Sequence, residues 1–348
     1  MARTVPVEEA VGMVLPHDVT EIRKGEFKGR AFRKGHIIRA EDVEHLKRLG
    51  KENIYILELS HTDIHENEAA ALMASAMIGP GVGLPDGEPV EGKLSLYATR
   101  DGLLRVNHQA LYNFNMLGEV MCATLHSETP VKKGEQVAAT RLIPLVGPRK
   151  LVEEAVAIAR EAEGGLLRVE DLHTARAGLV ITGNEVYHGR IKDAFEPVLR
   201  KKLTALGSEV IEVRKAPDET EKIAAAITGC LKAGADLIIT SGGMSVDPDD
   251  VTRAGIAEAG AKKISYGSPV LPGAMFLVGY IPTTQGEVPV LGLPACGMFH
   301  KITVFDLIIP RVLTGEEIGR RQLALLGHGG LCRNCKNCLY PICPFGKS

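Results

Sequence analysis

The stretch Leu237-Ile-Ile-Thr-Ser-Gly-Gly-Met-Ser-Val-Asp-Pro-Asp-Asp-Val-Thr252 decides the fold of this chain. Its apolar start is typical of a buried strand, and a helix is expected to begin at Thr252. The paired glycines between them allow the backbone to turn sharply and to approach a ligand closely. The stretch therefore predicts a strand, a ligand-facing turn and a helix in direct succession.

Three carboxylates, Asp247, Asp249 and Asp250, follow the glycine turn. The N–H groups that open a helix after a parallel strand commonly bind phosphate. Carboxylates beside such an anion are costly unless a divalent cation or a proton transfer uses them, so we expect a phosphorylated ligand with Mg²⁺. Asp249 and Asp250 are the candidate catalytic residues. One of the three could instead cap the helix, and Asp250 is the best placed to do so.

Strands and helices alternate from about residue 174 to 314, which predicts a mainly parallel sheet covered by helices on both faces. The last helix is expected over 299–313. Ligands of such sheets bind outside the carboxyl ends of the strands. Polar or glycine-rich turns follow three of these ends, at 182–185, 241–250 and 294–297. We therefore predict a three-layer α/β/α domain over 173–320, in which the three turns form one crevice.

The preceding part of the chain, 1–172, has a mixed α+β pattern. Short β-rich segments are concentrated in a subdomain at about 92–148. An amphipathic helix over 151–162 is expected to connect this part to the α/β domain. No motif in 1–172 points to a chemical role.

The composition argues against several classes of partner. A net charge of −2 and a pI near 6.6 provide no basic stripe for nucleic acid. Aromatic residues make up only 4% of the chain and Trp is absent, which argues against stacking on bases. No apolar run approaches the ~20 residues of a membrane span, and the start lacks the pattern of a signal peptide. We therefore expect a cytoplasmic protein with no nucleic-acid or membrane partner.

Four closely spaced cysteines stand near the end of the chain: Cys332, Cys335, Cys338 and Cys343. The order is similar to that of ferredoxins, which have three residues rather than four before the last Cys-Pro. Four thiolates can hold either Zn²⁺ or a [4Fe–4S] cluster. Because the segment has little apolar content, a metal is expected to supply its folding energy. We predict a metal-binding tail over 328–348, with iron–sulfur and zinc both open.

The three turns together resemble those of the molybdopterin-binding domain in molybdenum-cofactor biosynthesis proteins, the MoeA, MogA and gephyrin group. The first turn is Ile181-Thr-Gly-Asn-Glu-Val, the second lies in Leu237–Val246, and the third is Gly292-Leu-Pro. The resemblance implies binding of molybdopterin or its nucleotide derivative, with Mg²⁺ or molybdate near the acidic residues. It implies a role in the biosynthesis, modification or delivery of the cofactor.

The resemblance also implies partners and contacts. The partners would be a pterin or nucleotide small molecule and a molybdoenzyme or another cofactor-biosynthesis protein, and self-association in the group implies a homo-oligomer. An enzyme of this group would be a transferase, for molybdenum insertion or nucleotidyl transfer. The implied cofactor-binding residues are Thr182, Gly183, Asn184, Glu185, Ser241, Gly242, Gly243, Met244, Ser245, Asp247, Pro272, Gly273 and Pro294.

Two departures from the group keep alternatives open. Members that insert molybdate usually carry Lys-Pro-Gly-Lys where this chain has Leu271-Pro-Gly-Ala274, and the third turn continues as Ala295-Cys-Gly297 rather than Gly-Asn-Pro. Cofactor binding survives these changes better than molybdenum insertion does. The CinA-like nucleotide pyrophosphatases share the domain type and the Gly-Gly…Asp-Asp-Val-Thr ending, and are the enzyme alternative. A third interpretation is a non-enzymatic, metal- or redox-regulated binding module whose tail docks a partner.

Overall fold

The computed structural model describes residues 2–23, 27–57, 60–245, 247 and 250–347. The described residues form two compact units. The N-terminal unit draws on 1–100, 106–125 and 133–169, and the C-terminal unit draws on 101–105, 126–132 and 170–348. Two short segments of the N-terminal half therefore fold with the C-terminal unit.

The first half of the chain contains short strands and four α-helices among its described residues. A 3₁₀ helix spans Val7–Ala10. The α-helices are α1 Asp42–Arg48, α2 Glu66–Met77, α3 His108–Asn115 and α4 Arg149–Glu161. The strands are β1 Ala2–Pro6, β2 Val19–Arg23, β3 Phe27–Phe32, β4 Asn53–Leu57, β5 Asp63–His65, β6 Val82–Gly83, β7 Lys93–Ala98, β8 Gly102–Val106, β9 Val120–Thr124, β10 Thr129–Val131, β11 Gln136–Leu142, β12 Val146–Pro148 and β13 Leu167–Glu170.

An antiparallel sheet in the order β6-β7-β11-β9 forms the centre of the N-terminal unit. Helix α2 packs against β7 and β11 and against α4. The predicted β-rich region is therefore present, but it also contains α3, which the sequence analysis missed. Asn107 begins this helix by accepting a 3.0 Å hydrogen bond from the Ala110 N–H, which satisfies a group that the helix itself leaves unpaired.

The second half of the chain alternates strands and helices. The strands are β14 Arg176–Thr182, β15 Glu209–Ala216, β16 Leu237–Ser241, β17 Lys262–Tyr266, β18 Leu277–Thr283 and β19 Gly286–Leu293. The helices are α5 Asn184–Tyr187, α6 Phe195–Ala205, α7 Thr220–Lys232, α8 Thr252–Glu258, α9 Cys296–Phe299, α10 Val304–Leu313 and α11 Arg320–Leu325.

These strands form a six-stranded sheet in the order β15-β14-β16-β19-β18-β17. The first four are parallel, and β18 runs antiparallel to both of its neighbours. Leu179 and Ile181 point into the core shared with α6 and α10, whereas Val180 points into the core shared with α7 and α8. This alternation follows from the two-residue period of a strand. The prediction of an α/β domain with three layers and a mainly parallel sheet is confirmed.

The sequence analysis predicted one continuous helix over 299–313, and this prediction is wrong. The structure has two helices here, α9 and α10, separated by 300–303. Thr303 has extended backbone and accepts from the Phe305 N–H, while the Asp306 carboxylate accepts from the Thr303 N–H at 2.8 Å. This capping box starts a new helix, which periodicity of apolar residues alone could not indicate.

An ion-pair network holds segments 101–105 and 126–132 in the C-terminal unit. Arg105 pairs with Glu170 at 2.8 Å, with Glu316 at 2.7 Å and with Glu128. Arg311 pairs with Glu128 at 2.9 Å and with Glu316. Burial alone would raise the pKa of Glu316, but the hydrogen bonds and charges of both arginines hold that pKa below its ordinary value. Glu316 therefore keeps its negative charge at neutral pH.

Candidate functional site

The candidate site lies at the carboxyl edge of the parallel sheet. The turns after β14, β16 and β19 carry the three sequence signals, and these strands are adjacent because β16 pairs with both neighbours. Ile181 is in register with Ser241, and Ser241 with Leu293, so all three strands end at the same level. The first, second and third turns therefore meet at one edge, as parallel strands about 4.8 Å apart require.

Buried hydroxyl groups join the first turn to the second. Thr182 donates to the backbone oxygen of Ser241 at 2.8 Å, and its Oγ1 lies 3.0 Å from the Oγ1 of Thr252. Because a hydroxyl has one proton, Thr252 is the donor of the second bond. Thr182 is 3% exposed and Thr252 is fully buried. The first turn of α8 is thus fixed to the ends of two strands.

The glycines of the second turn occupy space that no side chain could share. Gly242 and Gly243 have φ of +89° and +55°, in the left-handed region that favours glycine. A Cβ on Gly242 would lie 2.7 Å from the backbone oxygen of Thr182, and one on Gly243 would overlap the hydroxyl of Thr252. The bare backbone of this turn is consistent with a close approach to a ligand.

Ser241 ends β16 with an unpaired hydroxyl group. The residue is fully buried, and its Oγ has no hydrogen-bond partner in the described structure. An unpaired buried hydroxyl costs about 1–3 kcal/mol of stability. Buried polar groups are nearly always paired in native proteins, so this one indicates a missing partner or a role in function.

The acidic loop folds on itself rather than capping the helix. The Asp250 carboxylate accepts from the Asp247 N–H at 3.1 Å, and the Asp250 N–H donates to the Asp247 oxygen at 3.0 Å. Helix α8 is preceded by Val251 and has no side-chain cap, so the expectation that Asp250 caps it is wrong. Its carboxylate is engaged three residues earlier instead. Asp249 lies outside the described residues.

The first turn is held by a reciprocal pair. The Asp218 carboxylate accepts from the Asn184 N–H at 2.8 Å, and the Asn184 side chain accepts from the Asp218 N–H at 3.3 Å. Gly183 donates to the oxygen of Ala216 at 3.2 Å. Glu185 is exposed, so its carboxylate is accessible to a ligand.

The remaining predicted contacts are spread around the second and third turns. Met244 is buried, and its oxygen accepts from the Tyr266 hydroxyl at 2.8 Å. Ser245 is half-buried. Pro294 accepts from the Gly297 N–H at 3.0 Å and begins the turn that carries Cys296, and burial raises the pKa of that thiol.

Pro272 and Gly273 lie at the start of α10. The Val304 N–H donates to the Pro272 oxygen at 3.1 Å, and Gly273 packs directly against the Val304 side chain. Leu271, which stands where molybdate-inserting proteins carry a lysine, pairs with the tail: its N–H donates to the Gly330 oxygen at 2.8 Å. The sequence analysis did not foresee this pairing.

Comparison with known families identifies the α/β domain. Residues 178–314 match the family model described as a probable molybdopterin binding domain. This part of the chain belongs to that family. The match begins within β14 and ends just after α10, so the molybdopterin-binding family domain contains all three turns. A separate model, described as a domain of unknown function, matches residues 4–58.

Individual relatives are similar over parts of the chain only. A CinA-like protein of Mycobacterium avium is 40% identical over 79 residues, which is 23% of this chain and 18% of that protein. The chain thus spans about a fifth of the length of this curated relative. The tungsten cofactor synthesizing protein MoaB of Pyrococcus furiosus has 17% identity and a TM-score of 0.32, over 41% of this chain and 96% of that one. The protein CinA of Thermoplasma acidophilum has 20% identity and a TM-score of 0.32, over 36% and 92%.

The four tail cysteines are not gathered at one point in the described structure. All four are free thiols, and no group of three or more His, Cys, Asp or Glu side chains in the described chain is arranged to hold a metal. Cys335 and Cys338 are exposed, whereas Cys332 and Cys343 pack against the core of the molybdopterin-binding family domain.

The tail has a protein anchor of its own. Phe345 is 3% exposed within the domain core, and Tyr340 donates to the Asp306 oxygen at 3.3 Å. The sequence analysis expected a metal to supply the folding energy of this segment and overlooked these two aromatic side chains. Among the described residues, no helix has the length and hydropathy that a membrane crossing requires.

Proposed function

We propose that the α/β domain binds molybdopterin or its nucleotide derivative at the crevice of the three turns. The observation that carries the proposal is the Ser241 hydroxyl, which is fully buried and unpaired at the start of the second turn, inside a segment that matches the molybdopterin-binding family. The location is the one at which open α/β sheets bind their ligands.

Each turn has a distinct part in this proposal. The backbone at Gly242 and Gly243 approaches the phosphate of the ligand, because no Cβ stands in the way. Glu185 is exposed on the first turn and accepts hydrogen bonds from the N–H groups of the pterin. Asp247 and Asp250, which are hydrogen-bonded to each other through the Asp247 N–H, supply the oxygen ligands that Mg²⁺ prefers.

We propose handling of the cofactor, by modification or delivery, rather than insertion of molybdenum. Leu271 and Ala274 provide no cation for molybdate at the position of the usual lysines. Leu271 instead uses its N–H to hold the tail. A molybdoenzyme or another cofactor-biosynthesis protein would receive the ligand in the cytoplasm.

Calorimetric titration of the purified protein with molybdopterin, and with its nucleotide form, tests the proposal. Titrations run with and without Mg²⁺ report the contribution of the acidic loop. We expect micromolar or tighter binding that weakens when Asp250 is replaced by Ala. The absence of binding under both conditions would reject the proposal.

The CinA-like relatives support a second candidate function, a nucleotide pyrophosphatase. Asp250 and Asp249 would then hold Mg²⁺ across a pyrophosphate and stabilise the charge on the leaving phosphate. Incubation with ADP-ribose distinguishes the two functions. Turnover that disappears in Asp250→Ala supports the enzyme, whereas binding of the pterin without turnover supports the first proposal.

We propose separately that the tail thiols bind a metal after rearrangement. The support is their spacing and the exposure of Cys335 and Cys338, which leaves both thiols free to move toward the other two. Metal content of anaerobically purified protein tests this, and its outcome is independent of pterin binding.

A further inference from the structure

Four aliphatic and two cationic side chains are exposed on the tail and on Leu271, which bridges to it. We define the tail surface as the exposed side chains of Leu271, Leu331, Leu339 and Ile342 together with those of Arg333 and Lys336. Ile342 is 91% exposed and Leu331 is 71% exposed. Ile342 therefore buries almost none of its area within the described chain, and most of the area of Leu331 is also accessible.

The tail surface is presented by an anchored segment. Leu271 and Leu331 form a β-bridge, in which the Cys332 N–H donates to the Leu271 oxygen at 2.8 Å. At the other end, Phe345 is buried and the Gly346 N–H donates to the Gly329 oxygen at 3.0 Å. The exposed aliphatic side chains therefore stand on a loop that is fixed at both of its ends.

The charged side chains of the tail and of the helix before it are all positive. Residues 318–348 contain five Lys or Arg and no Asp or Glu, in a chain whose net charge is −2. Arg320 is engaged with the Gly267 oxygen at 2.9 Å. Arg333 and Lys336 are exposed, and no carboxylate of the described chain lies within ion-pair distance of either.

We propose that the tail surface docks on an anionic lipid bilayer. Leu331, Leu339 and Ile342 enter the boundary between headgroups and acyl chains, while Arg333 and Lys336 remain among the lipid phosphates. Apolar side chains flanked by Lys and Arg are the chemistry by which peripheral proteins bind such surfaces. Each cation near an anionic surface adds to the attraction.

The observations favour a bilayer over an acidic protein surface. Protein interfaces are usually centred on Trp, Tyr or Arg side chains that fill pockets. The protruding side chains here are aliphatic, and a fluid bilayer accepts them in any arrangement. This contact needs no membrane-spanning helix, so the exclusion of spanning segments does not bear on it.

Sedimentation of the full-length protein with vesicles tests the proposal. The vesicles are phosphatidylcholine alone, or phosphatidylcholine with phosphatidylglycerol, and the protein is kept reduced. We expect binding to the anionic vesicles only, and its loss at about 1 M NaCl, where the Debye length is about 3 Å. Ile342→Ser should weaken binding by about tenfold or more, because it removes a buried aliphatic side chain from the bilayer.

Matched variants separate the tail surface from general effects. Ile22→Ser removes another exposed aliphatic side chain, which is 67% exposed in the N-terminal half of the chain, and should leave binding unchanged. Arg333→Glu with Lys336→Glu should abolish binding, whereas Lys201→Glu with Lys232→Glu, which changes the net charge equally, should reduce it much less. Circular dichroism checks that each variant is folded.

Two kinds of result would overturn the proposal. One is the absence of binding to anionic vesicles at low salt, or binding that Ile342→Ser leaves intact. The other is salt-sensitive binding to poly-glutamate without any binding to vesicles, which would assign the tail surface to an acidic protein partner. Neither outcome depends on whether the crevice binds a pterin.

Discussion

Thr182 donates its hydroxyl proton to the backbone oxygen of Ser241, 2.8 Å away, and so ties the end of β14 to the end of β16. The same oxygen of Thr182 accepts from Thr252. Thr182→Val has nearly the same shape but leaves two buried groups unpaired. We expect a loss of about 1–3 kcal/mol in the free energy of unfolding, measured with urea. Thr182→Ser keeps the hydroxyl, so an equal loss in that variant would contradict the role of the hydrogen bonds.

Replacement of the second glycine of the turn should remove ligand binding. Gly243→Ala places a Cβ on the Thr252 hydroxyl and must move the turn, whereas Gly260→Ala has a φ of +94° and meets nothing within 4 Å. In both variants the left-handed backbone of the new alanine lowers the free energy of unfolding by about 1 kcal/mol. We expect pterin affinity to fall at least tenfold in Gly243→Ala only, as measured by calorimetry. Equal affinities in the two variants would show that this turn does not contact the ligand.

The anchor of the tail should contribute strongly to stability. Phe345→Ala leaves a cavity in the core of the C-terminal unit, and such changes cost about 3–5 kcal/mol. Ile342→Ala, three residues earlier at a 91% exposed position, should cost little. Thermal and urea unfolding of the two variants measure the difference. Similar stabilities would mean that the tail is not docked through Phe345 in solution.

Metal analysis of the tail distinguishes the free-thiol arrangement from a metal centre. If the four cysteines bind one metal after rearrangement, Cys335→Ser should lower the zinc or iron content well below one centre per chain. Cys296→Ser, a half-buried thiol of the third turn, should not. A [4Fe–4S] cluster would also give broad absorbance near ~400 nm. Full metal content in Cys335→Ser, or no metal in the wild type, would show that the four cysteines do not bind one metal together.

The N-terminal unit should lose stability as the pH falls below about 6.5. Burial lowers the pKa of His17, and the charge of Lys51 acts in the same direction. The unfolded chain therefore binds a proton that the folded chain resists, so stability is complete above the unfolded pKa and falls below it. His17→Gln should flatten this slope in urea titrations at several pH values. His328→Gln, at an exposed position, is the control and should leave the slope unchanged.

Local patterns predicted the sheet and its edge. The apolar run before Ser241 and the glycines after it fix a buried strand and a sharp turn, because both depend on neighbouring residues only. Gly207 and Gly234, which follow α6 and α7, are local signals of the same kind, because glycine commonly follows the end of a helix. Since parallel strands must end together, the meeting of three turns followed from their order in the chain.

Contacts between distant residues could not be predicted in this way. The pairing of Leu271 with Gly330 depends on backbone groups, which are the same in every residue and leave no signal in the sequence. The burial of Phe345 depends on a gap beside α10 that only the folded structure contains. The break before α10 is an intermediate case, since Thr303 and Asp306 have the spacing of a capping box, and that signal was available.

The ion pairs of Arg105 have a consequence for the order of events during synthesis. Arg105 and Glu128 are synthesised first. Arg311 and Glu316, which complete the network, follow almost 200 residues later. The C-terminal unit therefore cannot close before this later segment has been synthesised. Until then Arg105 can pair only with Glu128 and Glu170, so the network is completed late in the synthesis of this unit.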